Sequence, residues 1–368
     1  MDSLIQQFSD AIFQAAAQQQ PLRIRGSGSK DFYGNALSGT LLDTQSYRGI
    51  VSYEPQELVL TARAGTPLIE IEQLLAENGQ MLPFEPPHFG AGATLGGCIA
   101  TGLSGPRRAR QGSARDFVLG VQMLNGRAEL LTFGGQVMKN VAGYDVSRLQ
   151  VGAMGTLGLL LEISLKVLPR PVAEITLRFD TSQTGALEIM NRWAGQPLPL
   201  SATCHENHML TIRLSGAASA VHAAQLKLGG DVVEQGENFW HELREHRAEF
   251  FKTDLPVWRL SLPSTSASAS AYGMQLIEWD GALRWCKTTA DAQAVRSAAQ
   301  AVGGQATLFR KGAKLSGDRH GLNQDEARVG VFHPLPAPLM KIHRKLKWTF
   351  DPHGVFNFGR LYNFISGV

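Results

Sequence analysis

A glycine-rich segment flanked by cations is the first place where this sequence could do chemistry. Arg25-Gly-Ser-Gly-Ser-Lys30, the first glycine loop, follows a strand predicted at Leu22–Arg25. Closely spaced glycines can expose consecutive backbone N–H groups as an anion-binding nest, and the flanking cations can add charge-assisted hydrogen bonds. Position 31 is Asp, so the third glycine of a dinucleotide fingerprint is missing, and no Gly-Lys-Ser/Thr of a P-loop occurs. Alone, this loop indicates a phosphate site and a simple turn about equally.

Two further glycine-rich segments favour the phosphate interpretation. The second glycine loop, Gly90-Ala-Gly-Ala-Thr-Leu-Gly-Gly97, follows two prolines and a histidine. The third, Gly155-Thr-Leu-Gly158, opens a strand at Leu159–Pro169 whose alternation of apolar and polar residues predicts one buried face. Glycine permits tight bends and close approach of the backbone to a ligand. Together the loops predict a site for a long cofactor that contains a diphosphate.

Between the first two loops, the sequence predicts a strand followed by a helix. The strand is expected at Leu58–Arg63. The helix has a hydroxyl residue, Thr66, as its expected N-cap, Pro67 at the first helical position and Gly79 after its end. These two elements would hold the first and second glycine loops.

A predicted hairpin and a second predicted domain complete the organisation of the chain. Asn125-Gly126 predicts a type I′ turn between strands at Phe117–Leu124 and Arg127–Phe133. After the prolines at 169 and 171, strand and helix patterns indicate a smaller α+β domain. We therefore predict a first domain at 1–171, a second at 172–335 and a C-terminal tail at 336–368. The predicted elements of the second domain are strands at Ala173–Phe179 and Met209–Leu214 and helices at Thr184–Ala194, Ala217–Leu228 and Ala290–Val302.

Composition excludes several classes of function. The net charge is only +3 and no run of Lys and Arg is interleaved with aromatics, which argues against nucleic acid as a partner. Cys98, Cys204 and Cys286 are scattered, so we expect neither an iron–sulfur cluster on this chain nor a disulfide framework. No signal peptide and no apolar window of about 20 residues is present. We expect a cytoplasmic protein that reaches the inner membrane only through partners.

Candidate metal ligands and catalytic residues are few. The run Cys204–His208 has a metal-like composition, but on a strand His205 and His208 would face opposite sides, so a polar turn and no metal site are predicted. Arg319 and His320 have the chemistry to bind a carboxylate and move a proton, with a surface loop as the alternative. The catalytic residues are unknown from these patterns alone.

Taken together, the motifs resemble a known family, the FAD-binding fold of vanillyl-alcohol oxidase and p-cresol methylhydroxylase. Within it, the phrases at residues 26–34 and 105–120 are most similar to the smaller FAD-binding subunits (E subunits) of bacterial glycolate oxidases. The resemblance implies an α+β fold with a two-part FAD-binding domain and an α+β cap domain. The motifs that carry it are Arg25-Gly-Ser-Gly-Ser29, Ala93-Thr-Leu-Gly-Gly97, Gly143-Tyr-Asp145, Gly155-Thr-Leu-Gly158 and Asp351-Pro-x-Gly-x-x-Asn357.

The resemblance also implies which residues bind FAD. The first glycine loop would cradle the diphosphate, the second would follow the ribityl chain, and the third would approach the adenine end. Asn357 would return from the tail toward the flavin. Covalently flavinylated members carry a histidine in the first loop, where this chain has Ser29 and Lys30, so FAD should be non-covalent. The implied cofactor-binding residues are Arg25, Gly26, Ser27, Gly28, Ser29, Lys30, Pro87, His88, Ala93, Thr94, Gly96, Gly97, Gly102, Gly105, Gly112, Gly155, Gly158 and Asn357.

The implied function is that of an FAD-binding subunit of a glycolate oxidase complex, which oxidises glycolate to glyoxylate. This chain's flavin would relay electrons, or its fold would organise the complex. A second FAD-containing subunit would hold the substrate site, and an iron–sulfur subunit would accept electrons. The metal motif His-x-Gly-Asp-Gly-Asn-x-His of relatives is missing here, which favours this interpretation. The alternatives are a self-sufficient FAD-dependent dehydrogenase of a small 2-hydroxy acid and a scaffold without flavin, against which the glycine loops argue.

Overall fold

The computed structural model describes residues 3–135, 145–312 and 330–364. The motif residue Gly143 and the two candidates Arg319 and His320 lie outside them. The helices are α1 (Ser3–Gln18), α2 (Leu68–Glu77), α3 (Leu95–Thr101), α4 (Arg108–Gln111), α5 (Ala114–Phe117), α6 (Val146–Leu149), α7 (Gln183–Ala194), α8 (Ala218–Leu228), α9 (Gly236–Arg244), α10 (Ala292–Ala301) and α11 (Ala337–Phe350).

The strands form four sheets. They are β1 (Leu22–Arg25), β2 (Thr40–Asp43), β3 (Ile50–Glu54), β4 (Val59–Arg63), β5 (Gln80–Met81), β6 (Val118–Leu124), β7 (Leu130–Gly134), β8 (Leu159–Lys166), β9 (Leu168–Pro169), β10 (Ala173–Asp180), β11 (Leu200–Glu206), β12 (Met209–Gly216), β13 (Asp231–Val232), β14 (Val257–Ser261), β15 (Met274–Glu278), β16 (Leu283–Lys287) and β17 (Gln305–Arg310). The α+β class predicted from the sequence is confirmed. Within the described ranges, no helix is long and apolar enough to cross a membrane.

The chain divides into two compact units. The first comprises Met1–Ser104, Ser113–Pro169 and Leu335–Val368, and the second comprises Gly105–Gly112 and Arg170–Pro334. The main boundaries lie within two residues of the predicted ones. The exception is Gly105–Gly112, which the prediction placed in the first domain and which packs within the second unit.

The first unit is built on a five-stranded antiparallel sheet in the order β3-β4-β8-β6-β7. The alternation predicted for β8 is confirmed, since Leu161, Ile163 and Leu165 are fully buried. Ser164 is also buried, because its hydroxyl is hydrogen-bonded to that of Thr61 at 2.8 Å. Helices α2 and α3 share a hydrophobic core with this sheet. The parallel pair β1-β2 instead shares a core with α1 and with Phe356 of the tail.

The N-cap predicted for α2 is wrong. The helix begins at Leu68 after Pro67, and no side chain caps it. The hydroxyl of Thr66 accepts a hydrogen bond from the Gly49 amide at 2.9 Å and donates to the Gly49 carbonyl at 3.1 Å. A long-range partner therefore occupies the group that local propensity assigned to the cap.

The prediction of a type I′ turn at Asn125-Gly126 is also wrong. β6 ends at Leu124 and β7 begins at Leu130, and the positive φ of the connection lies at Ala128 (+56°). Asn125 organises this longer loop, because its side-chain oxygen accepts hydrogen bonds from the amides of Arg127 and Glu129, both at 2.9 Å. An asparagine that binds the backbone of its own loop has replaced the two-residue turn.

The second unit contains an eight-stranded antiparallel sheet in the order β13-β10-β12-β11-β15-β16-β14-β17. The predicted strands and helices of this region are confirmed to within about two residues. Helices α7 and α8 contribute to one hydrophobic cluster on this sheet, and α10 contributes to another. The aromatic residues Trp240, Phe250, Phe251 and Trp258 are buried in this unit.

Two partly buried ion pairs account for the place of Gly105–Gly112 in the second unit. The Arg107 guanidinium pairs with Glu174, and Arg110 Nη2 lies 2.8 Å from Asp280 Oδ2. Burial raises the pKa of Asp280, and Arg110 acts in the opposite direction. The indole of Trp279 donates to the Gly105 carbonyl at 3.0 Å. Arginines that look like a short basic run in the sequence are thus internal anchors.

Candidate cofactor-binding site

An open cleft of about 750 Å³, including space open to solvent, lies in the first unit. All three glycine loops and the tail reach it. Its lining residues are Ile24, Arg25, Gly26, Ser27, Gly28, Ser29, Lys30, Asp31, Leu37, Thr44, Ala64, Thr94, Gly96, Gly97, Ala100, Thr101, Met154, Gly155, Gly158, Leu159, Leu160, Asn357 and Arg360.

The structure brings most of the predicted cofactor residues together in this cleft. The whole first glycine loop lines it, with Thr94, Gly96, Gly97, Gly155, Gly158 and Asn357. The predicted residues outside the lining are Pro87, His88, Ala93, Gly102, Gly105 and Gly112. The prediction had no signal for Leu37, Thr44, Ala64 or Arg360, because no recognisable motif contains them.

The first glycine loop offers open backbone donors. Gly28 has φ of +79°, and a Cβ there would overlap the Arg25 guanidinium, while a Cβ at Gly26 would overlap the Thr94 hydroxyl. Within the described part of the chain, no group accepts a hydrogen bond from the amides of Gly26, Ser27 or Gly28. Consecutive amides without acceptors form the kind of nest that binds phosphate oxygens. The loop therefore fits a diphosphate.

The two cations of this loop have different surroundings. Arg25 Nε lies 2.7 Å from Asp31 Oδ2, and both side chains are substantially exposed. Lys30 is buried, and its ammonium donates to the His88 carbonyl at 3.1 Å and lies 5.7 Å from the centre of the Phe89 ring. Lys30 thus ties the first loop to the segment before the second loop. His88 reaches the site through its carbonyl.

The second glycine loop leads into α3 beside the end of β4. The Thr94 hydroxyl caps α3 by accepting a hydrogen bond from the Gly97 amide at 3.3 Å. The Gly96 amide donates to the Ala64 carbonyl at 2.7 Å, and a Cβ at Gly96 would lie 2.8 Å from that of Ala64. Ala93 is fully buried and takes part in the core. Gly96 is therefore required by close packing as well as by the ligand cleft.

The third glycine loop is joined to the tail by Asn357. The side-chain Nδ2 of Asn357 donates to the Met154 carbonyl at 2.7 Å, and its Oδ1 accepts from the Ile24 amide at 2.8 Å. Gly155 has φ of +68°, and a Cβ there would lie 2.7 Å from Asn357 Nδ2. Asn357 therefore lines the cleft while it fastens β1 to the third loop.

A buried ion pair supports this wall from the tail. Lys347 and Asp351 are 1% and 0% exposed and lie in contact. The Lys347 ammonium also donates to the carbonyls of Thr156 and Phe356, both at 2.8 Å. Burial lowers the pKa of Lys347, and Asp351 acts in the opposite direction. No motif in the sequence indicated this role of Lys347, although its i, i+4 spacing to Asp351 was visible.

Three of the predicted glycines have roles outside the cleft. Gly102 ends α3 with φ of +62°, and a Cβ there would lie 3.0 Å from the Gly152 amide, so packing between two backbones requires it. Gly105 and Gly112 belong to the second unit. None of these three glycines lines the cleft.

The second unit presents no metal-ligand cluster within the described ranges, since no group of three or more His, Cys, Asp or Glu side chains there could hold an ion. The polar turn predicted for Cys204–His208 is present only at Asn207 and His208, because Cys204–Glu206 form the end of β11 and Cys204 and His205 are buried. His205 Nε2 lies 3.0 Å from the Thr181 carbonyl, and burial lowers the pKa of His205.

Comparison with known proteins identifies the family. A family model described as an FAD binding domain matches residues 4–134. The glycolate oxidase subunit GlcE of Escherichia coli K12 is 48% identical over 353 residues, which cover 96% of each chain. This chain belongs to the GlcE family. FAD is therefore the cofactor of this fold, and the GlcE family is one of FAD-dependent oxidoreductase subunits.

More distant relatives match parts of the chain or its fold. Glycolate oxidase subunit GlcD of Bacillus subtilis is 30% identical over 159 residues, covering 43% of this chain and 34% of that protein. A solved structure of alkyldihydroxyacetonephosphate synthase aligns with a TM-score of 0.64 and 14% identity, covering 95% of this chain and 73% of the other. The fold of this GlcE-family chain is thus shared with alkyldihydroxyacetonephosphate synthase.

Proposed function

We propose that this chain is the FAD-binding subunit of a glycolate oxidase complex that oxidises glycolate to glyoxylate. The observation that carries the proposal is the 48% identity to GlcE over nearly the full length of both chains. The cleft supports it, because most of the residues expected to bind FAD, including the whole first glycine loop, line it.

The residues of the cleft fit FAD in a specific way. The amides of Gly26, Ser27 and Gly28 would donate to the diphosphate, and the third glycine loop would let the adenine end approach the backbone. No His, Cys or Tyr occurs among the lining residues, which supports non-covalent binding. Bound FAD supplies the capacity to accept and pass on two electrons.

The complex would divide the chemistry between chains. A second FAD-containing subunit, of the kind named GlcD in Bacillus subtilis, would hold the substrate site, and an iron–sulfur subunit would accept electrons. We place the complex in the cytoplasm, with any contact at the inner membrane made through partners.

Anaerobic titration with glycolate tests this assignment. The full chain is purified alone and together with the two proposed partners, and flavin absorbance is followed. We expect FAD that acid releases from the isolated chain, no bleaching by glycolate of the isolated chain, and bleaching in the complex. Bleaching of the isolated chain would establish the self-sufficient 2-hydroxy-acid dehydrogenase instead. A chain that folds without binding FAD would establish the scaffold.

A further inference from the structure

Arg360 holds the first glycine loop from the tail. It is only 7% exposed, and its guanidinium donates to three backbone carbonyls that belong to this loop or follow it. Nη1 lies 2.6 Å from the Asn35 oxygen, and Nη2 lies 3.1 Å from the Asp31 oxygen and 3.3 Å from the Lys30 oxygen. One side chain thus fixes the path of the backbone at and just beyond the first glycine loop.

The charge of Arg360 is balanced differently from that of Lys347. Lys347 contacts the carboxylate of Asp351, whereas no carboxylate of the described residues pairs with the Arg360 guanidinium. The nearby Asp31 carboxylate pairs with Arg25. Burial lowers the pKa of Arg360, so its charge is held at an energetic cost that the nearby Asp31 carboxylate, which acts in the opposite direction, offsets only in part. An anion in the cleft that Arg360 lines would offset that cost.

We propose that Arg360 is a positioning residue that sets the affinity of this chain for the diphosphate of FAD. It holds the backbone carbonyls at and just beyond the end of the first glycine loop. The amides of Gly26 to Gly28 therefore stay directed to one ligand. It also supplies a buried positive charge that the diphosphate neutralises. This inference rests on the proposed FAD site and adds a residue from the far end of the chain to it.

Binding measurements on the full chain test the proposal. Arg360→Met is compared with Arg344→Met, which removes the same charge from the exposed face of α11. Dissociation constants are measured for FAD, for ADP as a diphosphate without flavin, and for riboflavin as a flavin without phosphate. For Arg360→Met we expect FAD and ADP to bind about 10- to 100-fold more weakly and riboflavin to be unaffected. Arg344→Met should leave all three constants within about twofold of the wild type.

The variant Arg360→Lys distinguishes a positioning role of Arg360 in FAD binding from a role in folding alone. It keeps the charge but loses the planar fork, so FAD and ADP should weaken by less than in Arg360→Met. If Arg360→Met does not fold, weakening of FAD and ADP in Arg360→Lys, with riboflavin unchanged, supports the proposal. Constants equal to those of Arg344→Met, together with a lower melting temperature of the apoprotein, would show a merely structural role and overturn it. A wild-type chain that binds neither FAD nor ADP would instead defeat the proposed cofactor site.

Discussion

The cofactor cleft has two sides that are built in opposite ways. The loop side, residues 25–30, presents backbone amides without acceptors among the described residues and has glycine where a Cβ would overlap a neighbour. The tail side, residues 347–360, presents side chains whose polar atoms are already bonded to backbone atoms. One side keeps its donors for a ligand, and the other uses its donors to hold the chain together. Apart from Arg360, for which we propose both roles, affinity and rigidity are thereby assigned to separate residues.

The tail side also closes very long loops of the chain. Asn357 bonds to the Ile24 amide across 333 positions of sequence, and Lys347 bonds to the Thr156 carbonyl across 191. Closing such loops costs conformational entropy, which the fully satisfied buried contacts must offset. We therefore expect tail-side substitutions other than those at Arg360 to change stability, and substitutions on the loop side to change FAD affinity.

The largest effect is expected for Lys347→Met. This change leaves the Asp351 carboxylate buried without its cation and removes hydrogen bonds to two carbonyls. Breaking a buried pair costs about 3–5 kcal/mol, so the free energy of unfolding of the apoprotein should fall by that amount in urea denaturation. The control is Lys345→Met, an exposed lysine on the same helix. Equal urea midpoints for the two variants would contradict the role assigned to the tail side.

The loop side could be predicted from the sequence because its chemistry depends on short local patterns. Gly26 and Gly28 lie two residues apart after a strand, and their function requires only a small side chain and a free amide. Asn357 was implied by the family resemblance, through the tail motif Asp351-Pro-x-Gly-x-x-Asn357. The structure places all three in the cleft.

Apart from Asn357, the tail side could not be predicted, because its partners are mostly backbone atoms that only the fold brings near. Arg360 binds the carbonyls of residues 30, 31 and 35, and a carbonyl has no signature in a sequence. The misplaced cap at Thr66 has the same physical cause, since its hydroxyl bonds to Gly49. The placement of Gly105–Gly112 in the second unit also has this cause, because Arg107 and Arg110 have acidic partners that are distant in sequence.

A smaller loss of stability is expected for Gly28→Ala on the loop side, and this variant should also lose affinity for FAD. The matched control is Gly303→Ala, because Gly303 has nearly the same φ (+77° against +79°) and open space around its Cβ position. Both alanines adopt the left-handed region and should lower the free energy of unfolding by roughly 1–2 kcal/mol. Only the methyl group at position 28 displaces the Arg25 guanidinium within the first glycine loop. FAD should therefore bind about tenfold more weakly in Gly28→Ala but not in Gly303→Ala.

Fluorescence quenching of FAD and thermal melting of the apoprotein check both parts of this expectation. If Gly303→Ala loses as much FAD affinity as Gly28→Ala, strain that lowers stability would be enough to cause the loss. The distinction between the two sides of the cleft would then fail.

The smallest effect is expected for Asp31→Asn, which removes the partly exposed ion pair with Arg25 (37% and 53% exposed). Exposed pairs contribute at most about 1 kcal/mol, so stability should change far less than in Lys347→Met. Loss of a negative charge beside the phosphate loop should tighten FAD binding by about two- to threefold at low salt, and the gain should disappear at high salt. Asp10→Asn, the same charge change on α1 outside the cleft lining, should show no gain. Weaker FAD binding in Asp31→Asn would mean that Asp31 holds Arg25 in place for the diphosphate, and the loop side would then depend on a side-chain network as the tail side does.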